Sequence, residues 1–348
     1  MEDYNVDPSG RFKREEVIVR SGIQVSYRAI DQNEGILCLW NEIYIEGSTE
    51  NGFNNLIQIV NFIGSNSHPN LIALYRAWID KTRKVFIYIT ELFSLQTIRS
   101  YVAEVVHSPS RSAIGNWCSQ IIDGLEHYHS RNPPLIHGDI CCNNIYIDSS
   151  DGIVKLGPPN LEMLLFGTPP ETSAPEVKSI ITDPKSDIWQ IGLSVLEIST
   201  GVEPYNEYSS PMTKRNAILE GIMPQAISDV SDPIIADFIT TCLLPVDHRP
   251  TLSQLREHVL ISENMNANGA RSMRDMGSVI QNSNSNVTPE LVMQSPEFTA
   301  LIERQNREKQ ELLMKQKQER KEKRDSIRSV TKKKQSLREL LNEVPSSS

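Results

Sequence analysis

In the stretch HGDICCNNIYID, residues 137 to 148, a histidine, a carboxylate and an amide stand at the spacing H-x-D…N. A loop carboxylate so placed can take the proton of an attacking hydroxyl. An asparagine five residues on can hold a Mg²⁺ that bridges phosphate oxygens, and the two together are minimal equipment for phosphoryl transfer. Asp139 is then the base position and Asn144 the metal position. Two neighbours do not suit that chemistry. Gly138 stands where an arginine would anchor a phosphorylated segment, and Cys141 where a lysine would touch the transferring phosphate.

The elements that must position such a loop follow in order. Ala174-Pro175-Glu176 matches the end of an activation segment, and SDIWQIG, residues 186 to 192, matches the opening of a large-lobe helix. Arg249, in HRPT, is expected to form a buried pair with the Glu of A-P-E. Upstream, HPNLIALYRAWID and KVFIYITELF predict two strands and a hinge, with Thr90 at the gatekeeper position and Glu91 to Phe93 as the connector. Ordered landmarks over about 180 residues resemble a protein kinase. They predict an α+β, two-lobed fold with a small β-rich N-lobe and a helical C-lobe, and a nucleotide pocket formed by Gly22, Thr90, Glu91 and Leu92.

The same alignment shows what chemistry is missing. The strand ILCLWNEIYI places Asn41 where a lysine would meet the α- and β-phosphates, and residues 51 to 67 contain no glutamate to hold such a lysine. Pro158-Pro159-Asn160 replace D-F-G, and proline offers no carboxylate. Where a glycine-rich loop would cradle phosphate, VRSGIQVSYRA has only Gly22. Each lost preorganised contact costs on the order of 3–4 kcal/mol of transition-state stabilisation, so losing three classes of contact approaches the whole usual rate enhancement. No cofactor is required on this reading. ATP remains allowed through its adenine at the hinge, and Mg²⁺ is disfavoured.

E-G-x-x-x-x-W-N-E in EGILCLWNE and P-P-x-I-H-G-x-x-x-C-x-x-I-x-I in PPLIHGDICCNNIYI, with SDGIVKLG, PQAISD and DPIIADFITTCL, resemble the nuclear receptor-binding protein family of pseudokinases. That family is similar to the with-no-lysine serine/threonine kinases, and the resemblance covers roughly residues 11 to 260, about 70% of the chain. It implies a catalytically impaired adaptor or scaffold in signalling or vesicle trafficking. It also implies a cytoplasmic location associated with endomembranes, and a pocket partly filled by its own residues, for which Trp40 and Pro158 are the candidates. In the with-no-lysine kinases a lysine of the glycine loop replaces the lost one; here that position is Gln24, flanked by Arg20 and Arg28. The alternative is an atypical ATP-dependent serine/threonine kinase with weak activity, using Asp139 as base.

Composition divides the chain into a flexible N-terminal segment (1–16), the kinase-like domain (17–262), an Asn/Ser-rich linker (263–296) and a charged, helical basic tail (297–348). The five cysteines show no C-x-x-C spacing and read as reduced thiols. No apolar run suits secretion or membrane spanning. From Arg304 to Arg338, 14 Lys or Arg stand against 5 Asp or Glu, a net +9, which leaves −18 on the other 313 residues of a chain of net −9. Apolar positions are too sparse for sustained heptads, so a solvated charged helix is expected over a coiled coil. The expected partners are other proteins, with an anionic membrane surface or acidic partner for the tail. Nucleic acid is disfavoured for lack of interleaved aromatics or a reading module.

Overall fold

The computed structural model describes residues 5–46, 48, 56, 59–60, 63–64, 67–94, 96–166, 171–177 and 183–263, all within the first of the chain's two compact units, Met1–Ile280. The expected linker beyond residue 263 and the basic tail lie outside the described residues, as does most of segment 51–67.

The run VFIYITE forms strand β5 (Val85–Glu91), whose first six residues are all buried. Such a run of β-branched and aromatic residues suits a strand covered on both faces. It sits between β3 (Ile36–Tyr44) and β4 (Leu74–Asp80) in an antiparallel sheet completed by β1 (Phe12–Ser21) and β2 (Gln24–Asp31), in the order β1-β2-β3-β5-β4. Side chains of a strand alternate between faces. Cys38 and Trp40 of β3 therefore join Phe12, Ala29, Val85, Ile87 and Ile89 on one face, while Ile43 joins Phe86 and Tyr88 on the other with Leu56 and Val60, helical residues between β3 and β4.

The segment expected to be flexible over 1–16 is instead, from Asn5 onward, bound to the sheet. Phe12 is 1% exposed, and Arg14 pairs with the fully buried Glu42 of β3 at 2.5 Å. Asp7 accepts from the Phe12 N–H at 2.7 Å and pairs with Arg76. Polar composition suggested mobility, but these polar groups are neutralised by partners on other strands.

The helical part begins with α1 (Ile98–Tyr101), which runs into a π-helical turn (Val102–Val106), and α2 (Arg111–His129). A small hairpin of β6 (Ile145–Ile147) and β7 (Val154–Leu156) precedes α3 (Leu161–Phe166). Then come α4 (Lys185–Thr200), α5 (Pro211–Leu219), a 3₁₀ turn (Gln225–Asp229), α6 (Pro233–Cys242) and α7 (Leu252–Arg256). Ile114, Cys118, Ile121, Ile122 and Leu125 give α2 one apolar face at helical spacing. α4 is buried nearly all round and is the central helix of this part. α6 approaches it so closely that a Cβ at Gly192 would lie 2.6 Å from the Cys242 Cβ. None of the described helices is long and apolar enough to cross a membrane.

Candidate functional site

The loop bearing Asp139 is held from beneath by α4. The carboxylate of Asp187, fully buried, accepts from the His137 N–H at 2.9 Å and the Gly138 N–H at 2.8 Å, and contacts His129 Nε2 at 2.8 Å. One turn on, Gln190 accepts from the Ile140 N–H at 3.0 Å and donates to the Gly138 carbonyl at 3.1 Å, and Ser194 donates to the Ile140 carbonyl at 3.1 Å. Positions 187, 190 and 194 share one helix face, so α4 presents a template for the catalytic-loop backbone. The activation segment is anchored the same way: fully buried Arg249 meets Glu176 at 2.6 Å, the pairing the sequence predicts, and donates to the Lys185 carbonyl at 2.9 Å.

On that template the two residual catalytic positions bond to each other. Asn144 Nδ2 lies 2.9 Å from the Asp139 carbonyl, 3.1 Å from Asp139 Oδ2 and 3.0 Å from the carbonyl of Pro158. Its other amide atom, Oδ1, packs against Gly157, where an added Cβ would collide with it. That oxygen is the one atom of the amide that could meet a metal, and Asn144 is half-buried. Pro158, at the metal-carboxylate position, contributes only a backbone acceptor. Burial raises the Asp139 carboxyl above its ordinary range, opposed by His137 and by a long contact from Cys141 Sγ at 3.7 Å. Burial, reinforced by the Asp139 charge, pushes the Cys141 thiol up to about 12. A Mg²⁺ ion needs carboxylate and phosphate oxygens around it, and the donor set here does not fit one.

The phosphate side of the cleft is neutral. Asn41, 5% exposed, accepts from Ser26 Oγ at 2.7 Å and from Gln24 Nε2 at 3.5 Å, and its Nδ2 lies 3.5 Å from Thr90 Oγ1. Gln24 also donates to the Tyr88 hydroxyl at 3.2 Å. Gln24, at the substitute-lysine position, therefore brings an amide. Arg28 is engaged by Glu15 and Glu16 at 2.9 and 3.2 Å. Gly22 forms, with Ile23, the two-residue turn between β1 and β2, whose pairing runs on to Ser21 opposite Gln24. Its φ of +55° suits glycine in a tight turn.

Trp40 does not fill the cleft. Adjacent to Asn41 on β3, it points to the opposite face, where it is fully buried against Trp78 and donates to Glu42 at 3.0 Å. The face that Asn41 shares with Ile43 is filled by α3. Leu161 and fully buried Leu165 pack with Ile43, Leu56, Val60, Phe86 and Tyr88, and Ile23 joins them from the turn. Asn160 fixes the start of α3 by accepting from the Met163 N–H at 2.7 Å and donating its own N–H to the His137 carbonyl at 2.9 Å. The motif LEMLLF carries apolar residues at i and i+4, but its docking partner is visible only in three dimensions.

At the hinge, Thr90 is 3% exposed and Leu92 half-buried. The Glu91 carboxylate is taken up by Lys155 Nζ at 2.7 and 2.8 Å and the Ala73 N–H at 2.8 Å, and Lys155 also sits 4.7 Å above the Phe93 ring. Sequence reasoning did not single out Lys155; the hydrophilic centre of the VKL strand is the signal that was available. Glu91 is thereby a structural clamp between β5 and β7, and ligand contacts at the hinge would fall to backbone groups.

The five-stranded sheet, the helical part built on α4 and the Asp187-bound loop are those of a protein kinase domain. A family model, protein tyrosine and serine/threonine kinase, matches residues 42–259, and the chain belongs to that family. It is related to the WNK serine/threonine kinases. It is 35% identical over 260 residues to serine/threonine-protein kinase WNK8 of Arabidopsis thaliana, covering 72% of this chain and 46% of that one. It is 34% identical over 267 residues to the probable serine/threonine-protein kinase WNK10 of the same plant, covering 74% and 51%. With serine/threonine-protein kinase pkpA of Phycomyces blakesleeanus it shares 32% over 275 residues, covering 74% and 44%. The chain spans about half the length of the curated relatives it matches.

Proposed function

We propose that this protein is a pseudokinase, a kinase-fold scaffold that recruits signalling or trafficking proteins and needs no nucleotide or metal to do so. One observation carries the reading. The carboxylate that would hold a metal is absent: Pro158 stands at its position and offers only its carbonyl, which accepts from the Asn144 amide nitrogen at 3.0 Å. The neutral groups around Asn41 and the apolar filling by Leu161 and Leu165 support it, as does the sequence resemblance to the nuclear receptor-binding protein pseudokinases. A cytoplasmic scaffold at endomembranes, its basic tail meeting an acidic partner or anionic membrane, extends the same proposal.

The alternative, an atypical serine/threonine kinase with Asp139 as base, is favoured by the names of the relatives and by the retention of Asp139. Transfer of radiolabel from ATP, with Mg²⁺ or Mn²⁺, by the full chain and by Asp139→Asn separates the two. The scaffold reading expects equal background from both proteins. Incorporation by the wild type that vanishes in Asp139→Asn would overturn it.

A further inference from the structure

Helix α5 buries Ala217 and Ile218 but turns Met212 and Leu219, 74% and 51% exposed, toward solvent. Seven residues apart, these two lie on one face of the helix. Ile222 and Met223, 43% and 37% exposed, follow just past its end. Four large apolar side chains exposed within twelve residues make a concentration that scattered surface hydrophobics do not explain.

The platform beneath them is firmly held. Ser210 and Thr213 form a reciprocal cap at the helix start, and Gly221 (φ +72°) closes its end, with the Ile222 N–H bonded to the Ala217 carbonyl at 2.9 Å. Arg215 donates to the backbone carbonyls of Ser173, Ala174 and Val177, fastening α5 to the activation segment. Tyr205 donates to the Ile222 carbonyl at 3.0 Å. A rigid element that exposes apolar side chains has already met the entropy cost of ordering, which favours binding.

Charge selects the occupant. Residues 201 to 232 carry five carboxylates; Glu203 is met by Arg99 at 3.9 Å and Asp232 by Arg111 at 3.5 Å, which leaves Glu207, Glu220 and Asp229 outside any ion pair among the described residues. Arg215 is occupied by the carbonyls above, and Lys214 lies 3.6 Å from Glu203. The uncompensated charge along this stretch is therefore acidic, with Glu220 standing between Leu219 and Ile222 in the chain. We propose that this face of α5 docks a basic amphipathic helix of another protein, its apolar side on Met212, Leu219, Ile222 and Met223 and its Lys or Arg residues toward these carboxylates. Flexible methionines suit such a surface because they adapt to differently shaped partners. The inference stands independently of whether the cleft transfers phosphate.

The test uses the full chain and two labelled peptides of about five helical turns, one with a Leu face and a Lys face, the other its Leu/Glu twin, followed by fluorescence anisotropy. The Leu/Lys peptide is expected to bind, with affinity falling at least ~10-fold in the double variant Met212→Gln, Leu219→Gln. Glu220→Gln with Asp229→Asn should weaken binding and flatten its salt dependence. Val259→Gln, at an exposed apolar residue elsewhere, should leave it unchanged. Because the replaced side chains are exposed, unchanged unfolding midpoints will verify folding. Equal binding by the double variant, or equal affinity for the Leu/Glu twin, would overturn the proposal. So would a self-association of the chain that the double variant abolishes, since the occupant would then be a second copy.

Discussion

Glu42 is the most consequential carboxylate of the sheet, and Glu42→Gln isolates its charge at nearly constant volume. Its side chain is fully buried and meets Arg14 Nη1 at 2.5 Å, Arg83 Nη2 at 2.5 Å and Trp40 Nε1 at 3.0 Å. The substitution leaves two guanidinium groups facing a neutral amide. Breaking a buried pair from one side costs about 3–5 kcal/mol. Arg14 and Arg83 retain 14% and 25% side-chain exposure and can recover some hydration, which places the expected loss near the lower bound. At roughly 2–4 °C per kcal/mol for a domain of this size, a loss of about 3 kcal/mol lowers the unfolding midpoint by about 6–12 °C. Thermal unfolding followed by circular dichroism reads this directly. Arg83→Met should cost less, because Glu42 keeps Arg14. A fall of under about 2 °C in Glu42→Gln would mean instead that the cluster is hydrated in solution.

Other perturbations test neighbouring parts of the account. Gly157→Ala drives a methyl group into the Asn144 amide, so the midpoint should drop by the equivalent of at least the usual ~1–3 kcal/mol for overpacking; an unchanged midpoint would mean Asn144 is not held where described. Asp31 is held below the ordinary carboxylate range by its bonds from Arg11, so it stabilises the fold above its unfolded pKa and loses that contribution as pH falls through the lower, folded value. Between pH 6 and 3, Asp31→Asn should therefore show a shallower decline in midpoint than the wild type; parallel curves would refute the assignment. With its thiol pushed up to about 12, Cys141 should be alkylated by iodoacetamide at pH 8 at least ~100-fold more slowly than a free thiol, and peptide mapping that finds it among the first residues modified would contradict this.

What was legible in the sequence was what lies in short, ordered spacings. SDIWQIG opens the central helix α4 as its pattern suggested, and Arg249 finds Glu176 as their positions suggested, whereas the support that Asp187, Gln190 and Ser194 give the catalytic loop emerged only with the structure. The neutral residues at 41 and 158 were likewise visible as substitutions in a known order. What was not legible depended on partners distant in sequence. Arg14, Arg11 and Asp7 looked like a solvated leader because Glu42, Asp31 and Arg76 lie up to about 70 residues away. Trp40 looked like a cleft filler until strand alternation turned it away from Asn41. The fit of α3 against Ile43 and Leu56, and the clamp of Lys155 on Glu91, are products of tertiary packing that no local pattern announces.

The central claim is that the cleft lacks the means to hold Mg²⁺-nucleotide. It is tested most directly by the thermal unfolding midpoint of the full chain with ATP, with and without Mg²⁺. A ligand that binds only the folded state adds about 2.7 kcal/mol at a hundredfold excess over Kd, a shift of several degrees. No Mg²⁺-dependent shift is expected, and at most a small, metal-independent one from purine contacts at the hinge. A rise that requires Mg²⁺ would show that the cleft holds a metal without the missing carboxylate, and would contradict the claim.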